Sequence, residues 1–353
     1  MRAGVVVAAQ PGVEDLAVRA EELGLNSFWV NDTPMAHGDP FVALSLCAKA
    51  TSRIKLGIGV TSPALRSAPA TACGIASLNA LAPGRIICGV GTGNTARRTL
   101  GMRPTTASAL EDFVTSLQDL CAGRATCYSE GDRSRDIRFL HTGGHVNTTD
   151  PIEFVVAALL GPKAAAVAGR RGTGLISFGL LQPAAWQALY EARRHAAPGD
   201  PGTRTDSYLV TALHILERDE DPHGDAARDA TGHVVLSLLA FAADTTAQPN
   251  AFVERLDPEG REAVQRFLDR RGTTPTAPDR HTKLYPGYLG RIEPQNRDLI
   301  LPSVMNALTL VGTRDDLRAR IATLEQDAGI DELMIQPVVD PAAEMARFVD
   351  LLR

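Results

Sequence analysis

The stretch Ile54-Lys55-Leu56-Gly57-Ile58-Gly59-Val60-Thr61-Ser62-Pro63, followed after an interval by Arg85-Ile86-Ile87-Cys88-Gly89-Val90-Gly91-Thr92-Gly93, decides the fold. Each is a short apolar run that ends in glycine. Between them residues 69–81 have helical period, open on a proline and stop at Pro83-Gly84, the asymmetry expected of a helix start and stop. A strand, a helix and a second strand in that order form one unit of a parallel sheet wrapped by helices.

The same unit recurs in both directions along the chain. Strands are expected at residues 4–8, 27–31, 54–60, 85–90, 153–159, 175–178, 208–217 and 332–336. Helices are expected at 13–23, 40–50, 69–81, 105–121, from Gly161-Pro162 to 171, and 183–197. Further helical stretches are read at 224–243, 250–271, 299–310, 314–328 and 341–352. Eight rounds argue for closure into an α/β-class (β/α)8 TIM barrel, one domain over residues 1–353 with insertions at about 123–150 and 244–300. An open doubly wound sheet would place a glycine fingerprint after the first strand, where this chain has Ala9-Gln10-Pro11.

Composition bounds the function. The 353 residues are 44% hydrophobic and 22% charged, enough apolar material for a packed core. The net charge of −5 is spread along the chain with no basic block, which speaks against nucleic acid as a partner. Five cysteines include no C-x-x-C pair, and Cys47, Cys73 and Cys88 lie in apolar runs, as free thiols do in a reducing cytoplasm. The first apolar run is broken by Pro11, too short for a signal segment or a membrane span. A homodimer is the expectation that general frequencies supply.

In such a barrel the chemistry lies at the C-terminal strand ends, here Asn31, Asp32, Thr33 and His37, residues 59–66 and 91–97, 161–163 and 177–179. The Gly89-to-Gly93 run is half of a dinucleotide fingerprint, but no helix is expected directly after it and no ribose-binding acid follows. Its glycines instead let backbone amides approach a ligand, with Thr92 and Asn94 to bond a phosphate or polyol; a plain turn is the competing reading. Gly161-Pro162 starts a helix whose free amides favour an anion, or is ordinary helix initiation. Asp32 is a general base or the cap of a turn with Thr33-Pro34. His37 is catalytic or a solvated loop histidine, and Arg97-Arg98 pair with an anion or are solvated. His141 and His145 lack a third ligand, so no metal site is expected.

Taken together, Ile54 to Pro63, Pro69 with its helix, Gly84-Arg85, Gly89 to Gly93, Ala20 to Val30, the Gly161-Pro162 helix, and Gly312-Thr313 through Pro337 resemble the luciferase-like oxidoreductase superfamily. More narrowly they are similar to the deazaflavin-dependent methylenetetrahydromethanopterin reductases and their relatives. The resemblance implies FMN or the deazaflavin coenzyme F420 lying across the barrel mouth, backed by a bulge with a non-proline cis peptide at Gly59-Val60. It implies cofactor contacts from Asn31, Gly59, Val60, Thr61, Thr92, Gly93, Asn94, Ala158, Gly161 and Pro162.

The chain departs from the family pattern at four places. Asp32-Thr33 stands where many members carry Asp-His, and Asn94 where some carry an acid. Val5-Val6-Val7 replaces a strand bearing a glutamate, which argues against the methanopterin substrate. Tyr285 and Tyr288 stand where relatives place paired histidines. Asp32, His37 and Tyr288 are therefore the catalytic candidates, the tyrosine as a hydrogen-bond donor to substrate. The expected function is a two-electron oxidoreductase acting on a small organic substrate, by monooxygenation with reduced FMN or hydride transfer with F420. The alternative is a barrel that has lost its reactive histidine and serves as a binding or partner subunit.

Overall fold

The structure, a computed structural model, describes residues 1–141, 143–159, 161–199, 205–246 and 252–353. Twelve strands are present among them: β1 (Arg2–Val7), β2 (Ser27–Val30), β3 (Lys55–Thr61), β4 (Ile86–Val90), β5 (Thr126–Glu130), β6 (Arg133–Ile137), β7 (Glu153–Ala157), β8 (Gly174–Phe178), β9 (Ser207–Thr211), β10 (Leu213–Ile215), β11 (Leu310–Gly312) and β12 (Glu332–Ile335). Eight close into a barrel in the order β1-β2-β3-β4-β7-β8-β9-β12 and back to β1, every pairing parallel. This is the expected TIM barrel. No helix among the described residues is long and apolar enough to cross a membrane.

The strands read as apolar runs because they are covered on both sides. Outward residues such as Phe28, Leu56, Ile58, Cys88, Leu209 and Leu333 pack against the helices. Inward residues Val6, Trp29, Ile87, Val155, Ile176, Tyr208 and Met334 fill the barrel. The glycines of β3 and β4 make room for one indole: a Cβ on Gly57 would lie 2.2 Å from Trp29 Cδ2, and Gly59 and Gly89 also abut that ring. Below it, Trp29 Nε1 donates to Ser27 Oγ at 2.6 Å. Ser27 and Asn26 in turn donate to the fully buried Glu332, so a satisfied polar network closes the N-terminal end.

β3 departs from regular pairing with β4 between Ile58 and Thr61, a bulge of the kind that re-aims side chains at barrel rims, and the Gly59-Val60 peptide is cis. The helix expected from residue 105 is Ala107–Cys121. Thr105 is held instead by bonds from its amide and its hydroxyl to the Thr92 carbonyl, at 3.0 and 3.1 Å. Thr106 takes the cap, accepting from Ala109 N at 3.1 Å.

The first insertion is an antiparallel hairpin of β5 and β6 turning at Gly131. The seventh expected strand does not run unbroken to residue 217: it leaves the barrel after Thr211, and β10 pairs in parallel with β11. Between them helices Asp225–Thr245, Pro258–Arg270, Arg280–Leu284 and Pro302–Leu308 build a second apolar core around Val235, Leu239, Phe267, Leu268, Leu299 and Met305. That core already includes Ala227, earlier than the expected boundary near 244. The expected helix from Asn250 starts outside the described residues and continues as a turn of 3-10 helix, Phe252–Arg255, before Pro258–Arg270.

Candidate active site

A cavity of about 960 Å³ opens at the C-terminal end of the barrel, within the size range of small-molecule and cofactor sites. Its walls come from Asn31 and Asp32 after β2, Gly59 and Val60 in β3, Gly91 to Asn94 after β4, Ala157 at the end of β7 with Ala158 and Gly161 after it, and Ser177 in β8. The insertion adds Phe241, Thr245, Tyr288 and Leu289. Of the residues picked out from sequence, Asn31, Asp32, Gly59, Val60, Thr92, Gly93, Asn94, Ala158, Gly161 and Tyr288 all meet here. Three do not line it. Thr61 is fully buried, Pro162 is the first residue of helix Pro162–Arg171, and His37 sits behind Tyr288, its Nε2 3.2 Å from the Tyr288 carbonyl oxygen.

Contrary to expectation, a helix does open directly after the glycine run. Gly93 caps Asn94–Arg98 with φ +73°, and a Cβ there would come 2.6 Å from Ser62 Oγ. Glycine is required on both counts. Five residues with two adjacent arginines carry too little apolar period to announce themselves. Of the two readings of Arg98, the same helix removes the solvated one. Arg98 is 7% exposed; its Nε donates to Asn94 Oδ1 and its Nη1 to Asp244 Oδ2, both at 2.7 Å.

Asp32 is not a turn cap. Its Oδ2 is 2.5 Å from Arg66 Nη1, while Oδ1 is buried with no hydrogen-bond partner among the described residues. Burial pushes the carboxyl up and the Arg66 guanidinium pulls it down, the net direction being upward. Asn31 Nδ2 and Ser177 Oγ are likewise buried and unpartnered among the described residues. Buried polar atoms normally find partners, so three unmet groups on one cavity point to a polar ligand. Burial lowers the His37 imidazole and raises the Tyr288 phenol. Tyr288 therefore stays protonated at neutral pH, its hydroxyl 3.0 Å from Thr95 Oγ1.

Arg66, Ser177 and Arg98 fell within or beside the strand-end segments legible in sequence. Gln336 likewise closes the strand expected at 332–336, whereas Phe241, Asp244 and Thr245 lie outside every expected strand end. Asp244 meets Arg98 across a separation of 146 residues, and no local pattern signals such a pair.

The family model described as luciferase-like monooxygenase matches residues 7–332. The chain is 34% identical over 256 residues to an F420-dependent glucose-6-phosphate dehydrogenase of Kineococcus radiotolerans, a match covering 68% of this chain and 73% of the relative. It is 27% identical over 333 residues to a 5,10-methylenetetrahydromethanopterin reductase of Methanolobus tindarius, covering 93% and 90%. Among solved structures, the coenzyme F420-dependent tetrahydromethanopterin reductase of Methanopyrus kandleri superposes with a TM-score of 0.68 over 99% of this chain and 97% of that one, at 20% identity. At that identity the likeness is one of fold.

Proposed function

This chain belongs to the luciferase-like monooxygenase family of oxidoreductases, and we propose that its cavity binds FMN or the deazaflavin coenzyme F420 beside a small organic substrate. The observation that carries the reading is the set of unmet polar atoms, Asn31 Nδ2, Asp32 Oδ1 and Ser177 Oγ, on the same cavity as the glycine wall of Gly59 and Gly91 to Gly93. A heteroaromatic ring with polar edges satisfies such groups. When bound, a flavin or deazaflavin supplies two-electron redox chemistry; the protein supplies orientation and exclusion of water.

Each residue has a task in this scheme. Gly59 and Val60, at the bulge, present backbone without bulk to the ring. Asn31 donates and Asp32 accepts. Thr92, Gly93 and Asn94 hold the polyol portion. The first turn of helix Pro162–Arg171 has no side-chain cap, and its free amides suit a phosphate. Tyr288 donates a hydrogen bond to the substrate from the insertion side, and His37 keeps Tyr288 in place by contact with its carbonyl oxygen. The F420-dependent relative favours the deazaflavin, with hydride transfer; the family's monooxygenases favour reduced FMN.

Titration of the purified protein with each cofactor, followed by absorbance and fluorescence, decides between them. Micromolar saturation by one is expected. Failure of both to saturate below millimolar concentration would overturn the reading.

The wider proposals rest on lesser features. A single barrel domain agrees with the closed sheet. A homodimer through helices Pro40–Ala50 and Ala68–Leu81 is supported by Val42, Leu46 and Leu81, exposed by 65%, 46% and 43%, and is read by sedimentation. The net charge of −5 supports the absence of a nucleic-acid partner. Five free cysteines support action in the cytoplasm.

A further inference from the structure

We infer that Arg98 selects an anionic substrate, holding a carboxylate or phosphate at the insertion side of the cavity. This rests on the proposed reading of the cavity as a joint cofactor and substrate site. Arg98 and Arg280 share one carboxylate. Arg98 Nη1 lies 2.7 Å from Asp244 Oδ2, and Arg280 Nε lies 3.0 Å from Asp244 Oδ1. Two guanidinium groups against one acid leave an excess positive charge. The Arg98 and Asp244 side chains are only 8% and 6% exposed, so that charge is little screened by water.

The guanidinium is fixed but not saturated. Nε is held by Asn94 Oδ1, Nη1 by Asp244, and the group sits over the Phe241 ring with Cζ 5.3 Å from its centroid. Nη2 has no hydrogen-bond partner among the described residues, yet Arg98 lines the cavity. A planar guanidinium with an open edge is suited to carboxylate and phosphate. The only acidic residue on the cavity wall among those described is Asp32, and Arg66 already binds it at 2.5 Å, so no protein acid is placed to take the open edge. Thr95, three residues before Arg98 on the same helix face, contacts the Tyr288 hydroxyl at 3.0 Å. Arg98 and Tyr288 thus flank one part of the cavity.

The test compares benzoate with the neutral benzamide by ligand-observed NMR titration, with and without saturating cofactor, on the wild type, Arg98→Met and Asp244→Asn. Benzoate is expected to bind the cofactor-loaded wild type about ten- to a hundredfold more tightly than benzamide, the range for a charged hydrogen bond, and the preference should vanish in Arg98→Met. Asp244→Asn, by removing the competing acid, should strengthen benzoate binding. A latch that merely held the insertion to the barrel would weaken both ligands in that variant. Equal binding of the two probes by the wild type overturns the inference, as does a preference unchanged in Arg98→Met. Benzoate binding lost when cofactor is added, with cofactor affinity itself falling in Arg98→Met, would place the anion on the cofactor and also overturn it. Failure of the cofactor reading would show separately, as no cofactor saturation in the wild type.

Discussion

Replacing Gly93 by alanine tests whether the glycine turn is built by necessity. Two costs are separable. At φ +73° an alanine pays about 1 kcal/mol relative to glycine for the left-handed conformation. Its Cβ would also stand 2.6 Å from Ser62 Oγ and 3.0 Å from Ser62 Cβ, an overpacking worth about 1–3 kcal/mol. At roughly 2.1 cal/mol/K per residue, unfolding 353 residues carries an entropy near 0.74 kcal/mol/K, so each kcal/mol moves Tm by about 1.4 °C. A loss of about 3–5 °C is expected. Because the turn carries Thr92 and Asn94 on the cavity wall, cofactor affinity should fall with it. Adding Ser62→Ala removes the closer contact but not the dihedral cost, so Gly93→Ala/Ser62→Ala should recover part of the loss, read by scanning calorimetry and cofactor titration. If Gly93→Ala melts within a degree of the wild type and binds cofactor unchanged, the reasoning fails.

Two further predictions concern acid. Glu21 is held at about 2 because, against the burial that would raise it, its carboxylate accepts from the backbone amides of Ile54, Arg53 and Ser52; its folded value is depressed, so its contribution is present above the unfolded value of about 4.3 and lost as pH falls toward 2. The melting difference between wild type and Glu21→Gln should therefore be largest at pH 7 and close below pH 4, and a gap constant with pH would contradict this. His233 is 1% exposed with neither ring nitrogen partnered among the described residues, and burial pushes its imidazole down to about 3. Below about 6.5 the unfolded chain takes a proton that the folded chain refuses, costing about 1.4 kcal/mol per pH unit; His233→Leu should flatten the acid side of a urea-midpoint profile, and identical slopes would rule that out.

The barrel was legible because its strands are buried on both faces. Runs such as Arg85 to Val90 carry their own signal, and the observed Ile86–Val90 differs by one residue. The strand-end glycines were legible for a related reason: a residue chosen to keep a side chain out of a crowded place stands out in the sequence around it. What escaped was built from distance. β10 was absorbed into the strand before it because Ala212 and Leu213 continue its apolar run, and only pairing with β11, nearly a hundred residues later, draws the chain out of the barrel. The apolar content of residues 299–310 predicts helix throughout, yet Leu310 pairs with Leu213 as strand. Loop histidines are usually accessible, but His37 packs against Tyr288 and does not line the cavity.

One indole lies beneath the cavity floor. Trp29 occupies the space that a side chain at position 57 would need, whereas a Cβ at position 89 would first meet the Ile58 carbonyl oxygen at 2.4 Å, and the indole belongs to the inner cluster beneath Val6 and Val60, which face the cavity. Positions 29 and 57 are a single steric unit, free to vary together but not one at a time. For redesign this is a depth control: a smaller residue at 29 with alanine at 57 exchanges volume between floor and wall while leaving the polar rim untouched, whereas a lone substitution at 57 can only collide.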